Sequence, residues 1–432
     1  MSNKHYNRDK YLNQLIAFKD KPFIKVITGI RRCGKSFLLD IYEEYLISTG
    51  IKKDDIIKIN FESLAFEHIK DYKDLYKEVK DNINTNTRTY ILLDEIQVVK
   101  EWEKAVNSFL VDFDVDIYIT GSNAYLLSSE LSTFLSGRYV EIKMLPLSFK
   151  EYLEFMGINE NDNVNKAFED YLLYGGLPSV TLLNNEPLTI RPFLSGIYNT
   201  VIMKDVVSRN NIRDVALLEA VIKFIADNVG NPISTNKISN YLTSMGRKAS
   251  ADTIDNYITM LEKAYIIYRA NRYDLKGKMH LKTQEKFYIV DTGIRNELLD
   301  FRAGDYGHIL ENVVYLELIR RGYRVSVGKI DNLEVDFVAD GNDEKIYYQV
   351  SATILDEKTK ERELRPFANI KDYYSKVILT MDRTHIKDFN GIKNMNIIDF
   401  LLEKHWYIKN CANSIKQSFL IIVQIELNVK IC

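Results

Sequence analysis

Proline is scarce, 7 positions in 432 residues, while hydrophobic residues make up 46%; that apolar content offsets chain entropy and excludes a disordered chain. Only three cysteines occur, Cys33, Cys411 and Cys432. Their wide spacing and odd count argue against a disulfide framework or a zinc site, and a reducing cytosol fits. Charge of one sign is also missing: 58 Lys+Arg against 60 Asp+Glu leave a formal net charge of -2, so no global basic field draws the chain to nucleic acid and any such site is local. No stretch approaches the ~20 apolar residues of a membrane-spanning helix, and Met1 to Tyr6 lack the apolar core of a signal peptide. The expectation is a soluble, cytoplasmic protein with no membrane partner. At roughly 100–200 residues per domain, the length predicts about two to four domains.

What is present is a phosphate-binding signature. Gly29-Ile30-Arg31-Arg32-Cys33-Gly34-Lys35-Ser36 follows the apolar run Phe23 to Ile27 and opens a helical pattern, Phe37 to Leu46. β-Branched Val26 and Ile27 suit a buried strand, while Phe37, Ile41 and Tyr45 share one helix face. In this P-loop arrangement the glycines let backbone N–H groups crowd round a β-phosphate, and the lysine reaches the β/γ oxygens. Gly29 through Phe37 are therefore the nucleotide-binding set, with the Ser36 hydroxyl as a ligand for Mg²⁺. Tyr90-Ile91-Leu92-Leu93-Asp94-Glu95 supplies the second half: a strand buried on both faces, ending in Asp94 to orient Mg²⁺ and Glu95 to polarise the attacking water. The predicted ligands are ATP and Mg²⁺, and the predicted reaction is hydrolysis to ADP and phosphate.

Strand and helix keep alternating, as in an α/β fold. Tyr11 to Phe18 reads as an entry helix without chemical content; Ile56 to Phe61 is a second strand ending near Glu62, Asp71 to Val79 a surface helix, and Trp102 to Leu110 another helix. Val115 to Thr120 is a strand ending in Gly121-Ser122-Asn123. Ser122 and Asn123 read either as polar groups beside the γ-phosphate or as a turn and helix cap. A polar helix then ends at Leu135-Ser136-Gly137, and Arg138 reads either as an arginine finger offered to a neighbouring subunit of a homo-oligomer or as an exposed loop residue.

These motifs, with Leu145-Pro146-Leu147-Ser148-Phe149-Lys150-Glu151-Tyr152, resemble those of prokaryotic AAA-type ATPases related to the archaeal ATPase family, whose members carry a C-terminal domain of unknown function. The resemblance implies a P-loop NTPase parallel sheet flanked by helices over 1–150. Ser122 or Asn123 is then the sensor 1 position, and Glu95, Ser122, Asn123 and Arg138 form the catalytic set. A helical lid follows over 151–213, containing the turn Gly175-Gly176-Leu177-Pro178 and Lys204-Asp205.

Three predicted helices, 217–229, 234–242 and 251–263, have helix-turn-helix spacing, and Tyr265 to Arg269 and Lys286 to Val290 read as wing strands, giving a winged helix over 214–290. Between Lys237 and Lys282, nine basic residues stand against four acids, a local excess compatible with DNA phosphates as well as with protein docking. Over 291–402 a helix with Glu311, strands at 323–325 and 334–338 with Asp336, and a strand 347–351 resemble the restriction-endonuclease-like fold, a small α/β nuclease-like domain. Gln349 and Ser351 stand where that fold has an acid and a lysine, which predicts an inactive site. The tail 403–432 contains a short β-prone run, Phe419 to Leu427, and carries no predicted site. The physiological partner is expected to be a protein that the sequence does not identify. The alternative is a nucleotide-dependent DNA-binding factor or nuclease.

Overall fold

A computed structural model describes residues 8–127, 137–159, 162–183, 186–342 and 344–403. The helix expected up to Ser136 and the tail strand near Phe419 lie outside the described residues, as do Cys411 and Cys432. The chain divides into two compact units, one holding residues up to 270 with 284–301, the other 271–283 with the residues from 302 onward.

The first unit begins with α1 (Asp9–Ala17), β1 (Ile24–Thr28), α2 (Lys35–Ser48), β2 (Ile56–Asn60), α3 (Tyr72–Asn82), β3 (Thr89–Asp94), α4 (Trp102–Asp112), β4 (Val115–Gly121) and β5 (Tyr139–Lys143). The strands form one sheet in the order β2-β3-β4-β1-β5, every neighbouring pair parallel. β1, β3 and β4 are buried along their whole length, as central strands covered on both faces must be. Ile91, Leu93, Ile117 and Ile119 meet Leu75 and Val79 of α3 and Val106 and Phe109 of α4 in one apolar cluster. Lys25 on β1 interrupts the pattern and pairs with Asp116 on β4, both buried; Tyr118 Oη donates to Asp116 at 2.8 Å, completing the pairing that a buried charge needs.

The chain continues as α5 (Phe149–Met156), α6 (Val164–Tyr174), α7 (Pro178–Thr181) and α8 (Pro187–Thr200), which runs directly into a π-helical segment, Val201–Ser208. Ser148 and Glu151 close the start of α5 as a capping box, which their three-residue spacing predicts. Then come α9 (Val215–Asp227), α10 (Thr235–Ser244), α11 (Ala251–Lys263), β6 (Ile267–Asp274), β7 (Met279–Ile289) and α12 (Thr292–Leu299). The wing strands expected at 265–269 and 286–290 are longer than their apolar cores suggest. The added residues Asn271 to Asp274 are mostly polar, so alternation does not reveal them; they are held by pairing of Arg272 to Asp274 with β8 of the second unit's sheet, and 271–283 group with that unit.

In the second unit α13 (Tyr306–Arg320) is followed by β8 (Arg324–Ile330), β9 (Leu333–Asp340), β10 (Lys345–Val350), α14 (Glu357–Ala368), β11 (Ser375–Thr380), β12 (Asp388–Phe389), β13 (Ile392–Asn396) and α15 (Ile397–Leu401). The strand expected at 323–325 thus runs on to Ile330, with a register shift between Ser326 and Gly328. The sheet order is β12-β13-β11-β10-β9-β8-β6-β7, antiparallel from β8 to β10 and parallel from β10 through β11 to β13.

Candidate nucleotide site

The loop between β1 and α2 leaves the C-terminal edge of the parallel sheet, where open α/β sheets bind ligands. Gly29 has φ +148°, and a Cβ there would stand 2.2 Å from the Met144 carbonyl oxygen, so no other residue fits. Gly34, at φ +100°, is the residue before α2, whose first turn presents free N–H groups. Ile30 and Cys33 are buried beneath the loop, and burial pushes the Cys33 thiol up. Arg32 takes a left-handed φ of 66° and lies 5.8 Å from the ring centre of Phe193 on α8.

The acidic half comes from β3. Lys35 Nζ lies 3.4 Å from Glu95 Oε1 and donates to the carbonyls of Gly29 (3.2 Å) and Ile30 (3.3 Å). Glu95 has φ 57°, a strained left-handed conformation of the kind retained at functional turns. Burial disfavours its charge, but Lys35, a hydrogen bond from Gln97 and Arg31 outweigh burial and hold its carboxyl below the usual range. Burial pushes the Asp94 carboxyl up, opposed by hydrogen bonds from Thr120 and Ser36. Thr120 Oγ1 donates to Asp94 at 2.6 Å and accepts from Glu95 N at 2.9 Å, so one hydroxyl on β4 fixes both carboxylate-bearing residues. Thr120 is absent from the predicted site because a threonine ending a β-strand has no distinguishing spacing.

Ser36 and Asp94 therefore meet at the strand end. A hydroxyl and one buried carboxylate form a hard, oxygen-only donor set with few protein ligands, which suits Mg²⁺, an ion that retains waters and takes phosphate oxygens. Among the described residues no group of three or more His, Cys, Asp or Glu is arranged to hold a metal without such partners.

A cavity of about 460 Å³ opens beside the loop. Arg31, Lys35, Ser36, Glu62 and Glu95 line it together with Phe37, Phe155, Pro178 and Leu182, a charged region continuous with an apolar one. Arg8, which precedes the entry helix, also lines it. Its side chain, 1% exposed, donates to the carbonyls of Leu145 (2.7 Å) and Cys33 (3.3 Å) and pairs with Glu151 at 3.0 Å. Nothing in the sequence around Arg8 signals this, because its partners lie up to 143 positions away in the chain.

The remaining predicted residues separate. Asn123 Nδ2 donates to the Asp205 carbonyl (3.2 Å), and the buried Ser122 hydroxyl has no hydrogen-bond partner among the described residues. Asn123 O also accepts from Leu126 N (3.2 Å) as the chain turns after β4. Arg138 is exposed, and its carbonyl accepts from Ile24 N at 2.9 Å, which places it at the opposite end of β1 from the P-loop. A five-residue strand at about 3.3 Å per residue separates the two, so Arg138 does not serve the P-loop of its own chain.

The basic residues of the helices and hairpin are partly neutralised. Arg269 is paired with Glu262 and Glu285, Lys276 with Asp331, and Arg272 is buried, while Lys237, Arg247, Lys248 and Lys278 are exposed. In the second unit Asp336 on β9 accepts from Val350 N at 2.9 Å, and Gln349 Oε1 accepts from Asp336 N at 3.3 Å. Gln349 Nε2 donates to Glu363 Oε2 at 2.8 Å, so α14 delivers a buried third acid that the sequence order does not reveal. Glu311 is buried on α13, and Ser351 Oγ donates to the Thr353 carbonyl at 2.9 Å.

Residues 21–153 match the AAA domain family, and residues 165–305 match a family described as a domain of unknown function. An uncharacterized protein of Haemophilus influenzae is 44% identical over 405 residues, 93% of this chain and 100% of the relative. An uncharacterized protein of Methanocaldococcus jannaschii is 34% identical over 401 residues, covering 88% of this chain and 84% of that one. Among solved structures the Walker-type ATPase of Pyrococcus abyssi is similar with a TM-score of 0.45 and 16% identity, over 68% of this chain and 95% of that one. No described helix is long and apolar enough to cross a membrane. The chain belongs to the family of the Haemophilus influenzae relative, with an AAA domain over residues 21–153.

Proposed function

We propose that the protein hydrolyses ATP to ADP and phosphate with Mg²⁺ and couples nucleotide state to conformational change and to a protein partner in the cytoplasm. The observation that carries this is the convergence of Lys35, Ser36, Asp94 and Glu95 at one sheet edge, with Thr120 tying the two acids together. Ser36 and Asp94 would hold Mg²⁺, which would supply neutralisation of the phosphate charge. Lys35 leaves Glu95 for the β/γ oxygens, and Glu95, released from its lysine, accepts a proton from the attacking water. Phe37, Phe155, Pro178 and Leu182 offer the apolar surface for a base. The test is phosphate release from ATP by the full chain, with Lys35→Ala as the control whose ATP binding is weakened.

The exposed position of Arg138, remote from its own P-loop, favours a finger supplied by a second copy of the chain. Arg138→Ala is expected to keep ATP affinity and lose turnover by about 1000-fold, the lower end of the arginine-finger effect, with wild-type specific activity rising with protein concentration. Constant specific activity and a monomeric mass under assay conditions would remove the finger.

The winged-helix reading of 214–290 is favoured by three helices followed by a hairpin, and the exposed Lys237, Arg247 and Lys248 offer a local phosphate-binding surface for DNA. The nuclease-like reading of the second unit is favoured by Asp336 and Gln349 on adjacent strands. Cleavage is not expected: Gln349 is neutral and engaged with Glu363, and Ser351 brings no positive charge to the attacking water or the phosphate. Supercoiled DNA incubated with the protein in Mg²⁺ or Mn²⁺, with and without ATP, is predicted to stay supercoiled. Nicking that disappears in Asp336→Ala would establish the alternative, a DNA-directed nuclease.

A further inference from the structure

The helix formed by α8 and its π-helical continuation touches the nucleotide site at three points. Arg32 faces Phe193, Asn123 donates to the Asp205 carbonyl, and Arg31 Nε lies 3.3 Å from Asp205 Oδ2. Asp205 sits within the π-helical segment, an irregularity found disproportionately at functional positions. Its side chain is 1% exposed, yet among the described residues its second oxygen has only Arg209 at 3.8 Å. Arg31 in turn is held from the other side by Glu62 at 2.7 Å.

We propose that Asp205 competes with the terminal phosphate of ATP for Arg31, making it the positioning residue through which the lid helix distinguishes ATP from ADP. This rests on the reading of the P-loop as an ATP site. Around Lys35 and Arg31 stand three carboxylates, Glu62, Glu95 and Asp205. Burial and the nearby Glu95 push the Asp205 carboxyl up, while Arg31 and Arg209 pull it back, so its charge depends on the pairing it would give up. A terminal phosphate arriving at the loop crest is a stronger acceptor for a guanidinium than one carboxylate oxygen at 3.3 Å. When Arg31 turns to it, Asp205 loses its closest cation while buried, and the helix that carries it gains a reason to move. ADP lacks the group that draws Arg31 away and leaves the pair in place.

The experiment is titration of the full chain with fluorescent ATP and ADP analogues. Asp205→Asn removes the competing charge while keeping the backbone carbonyl that Asn123 uses. It is expected to tighten ATP binding about tenfold, with ADP changed less than about twofold, and in an Arg31→Ala background the gain for ATP should shrink below about threefold. Glu62→Gln, an exposed partner whose loss does not threaten folding, is expected to tighten ATP by about threefold. Equal effects on ATP and ADP, weaker ATP binding by Asp205→Asn, or an undiminished gain without Arg31 would each overturn the proposal. Failure of the wild type to bind ATP would instead overturn the reading beneath it.

Discussion

Lys35→Ala is expected to lose ATP affinity by about 100-fold or more, since charge-assisted hydrogen bonds contribute about 1.5–3 kcal/mol each. The structure adds a second effect. Lys35 is 4% exposed and is the strongest of the groups that hold the buried Glu95 charged. Its removal leaves a buried carboxylate with only Gln97 and Arg31 nearby, and breaking such a pair costs on the order of 3 kcal/mol. In the wild type the Glu95 carboxyl is depressed, so its contribution to stability is present above the ordinary carboxylate range and fades as pH falls through the depressed value. In Lys35→Ala that contribution is gone at neutral pH. The melting-temperature gap between the two proteins should therefore narrow as the solution is acidified toward pH 4, and adding Glu95→Gln to Lys35→Ala should recover much of the loss. An unchanged gap, with no recovery in the double variant, would show that the Lys35–Glu95 pair does not carry this energy.

Glu95→Gln alone is expected to bind ATP at least as well as wild type and to lower turnover by about 100-fold or more, the usual contribution of a general base. Glutamine keeps the size of the side chain and a hydrogen-bonding end toward Gln97, but cannot take the proton of water. It also frees Lys35 from a competing carboxylate, which favours the phosphates. Equilibrium binding and single-turnover hydrolysis measured on the same preparation separate the two effects. Weakened binding with proportionate loss of rate would make Glu95 a structural partner of Lys35 and not the base.

The part of this site that is legible in sequence is the part that is contiguous. Gly29 to Phe37 and Asp94-Glu95 each combine a strand end with the residues that follow it, so hydrophobic pattern and chemistry appear together. Arg8 and Thr120 escape notice because each acts through a partner brought close by the sheet order or by helix packing, and Asp205 is visible as part of the lid without its contact to Arg31, since no local spacing marks any of these pairings. Glu363 is hidden for the same reason: it approaches Gln349 from a helix 14 residues further along the chain. The strands are found where apolar residues run together or alternate, and their ends are missed where pairing holds polar residues such as Asn271 to Asp274. Arg138 is visible in both, but only the sheet register shows that it stands at the far end of β1.

The central claim, that this edge of the sheet hydrolyses ATP, is tested most directly by phosphate release from ATP by the full chain, measured with Mg²⁺ and with the metal chelated, beside Glu95→Gln. Metal-dependent release by the wild type is expected and, from a Glu95→Gln protein that still binds ATP, release lower by about 100-fold. Release by Glu95→Gln at the wild-type rate, or a wild type that binds ATP and releases no phosphate, would contradict it.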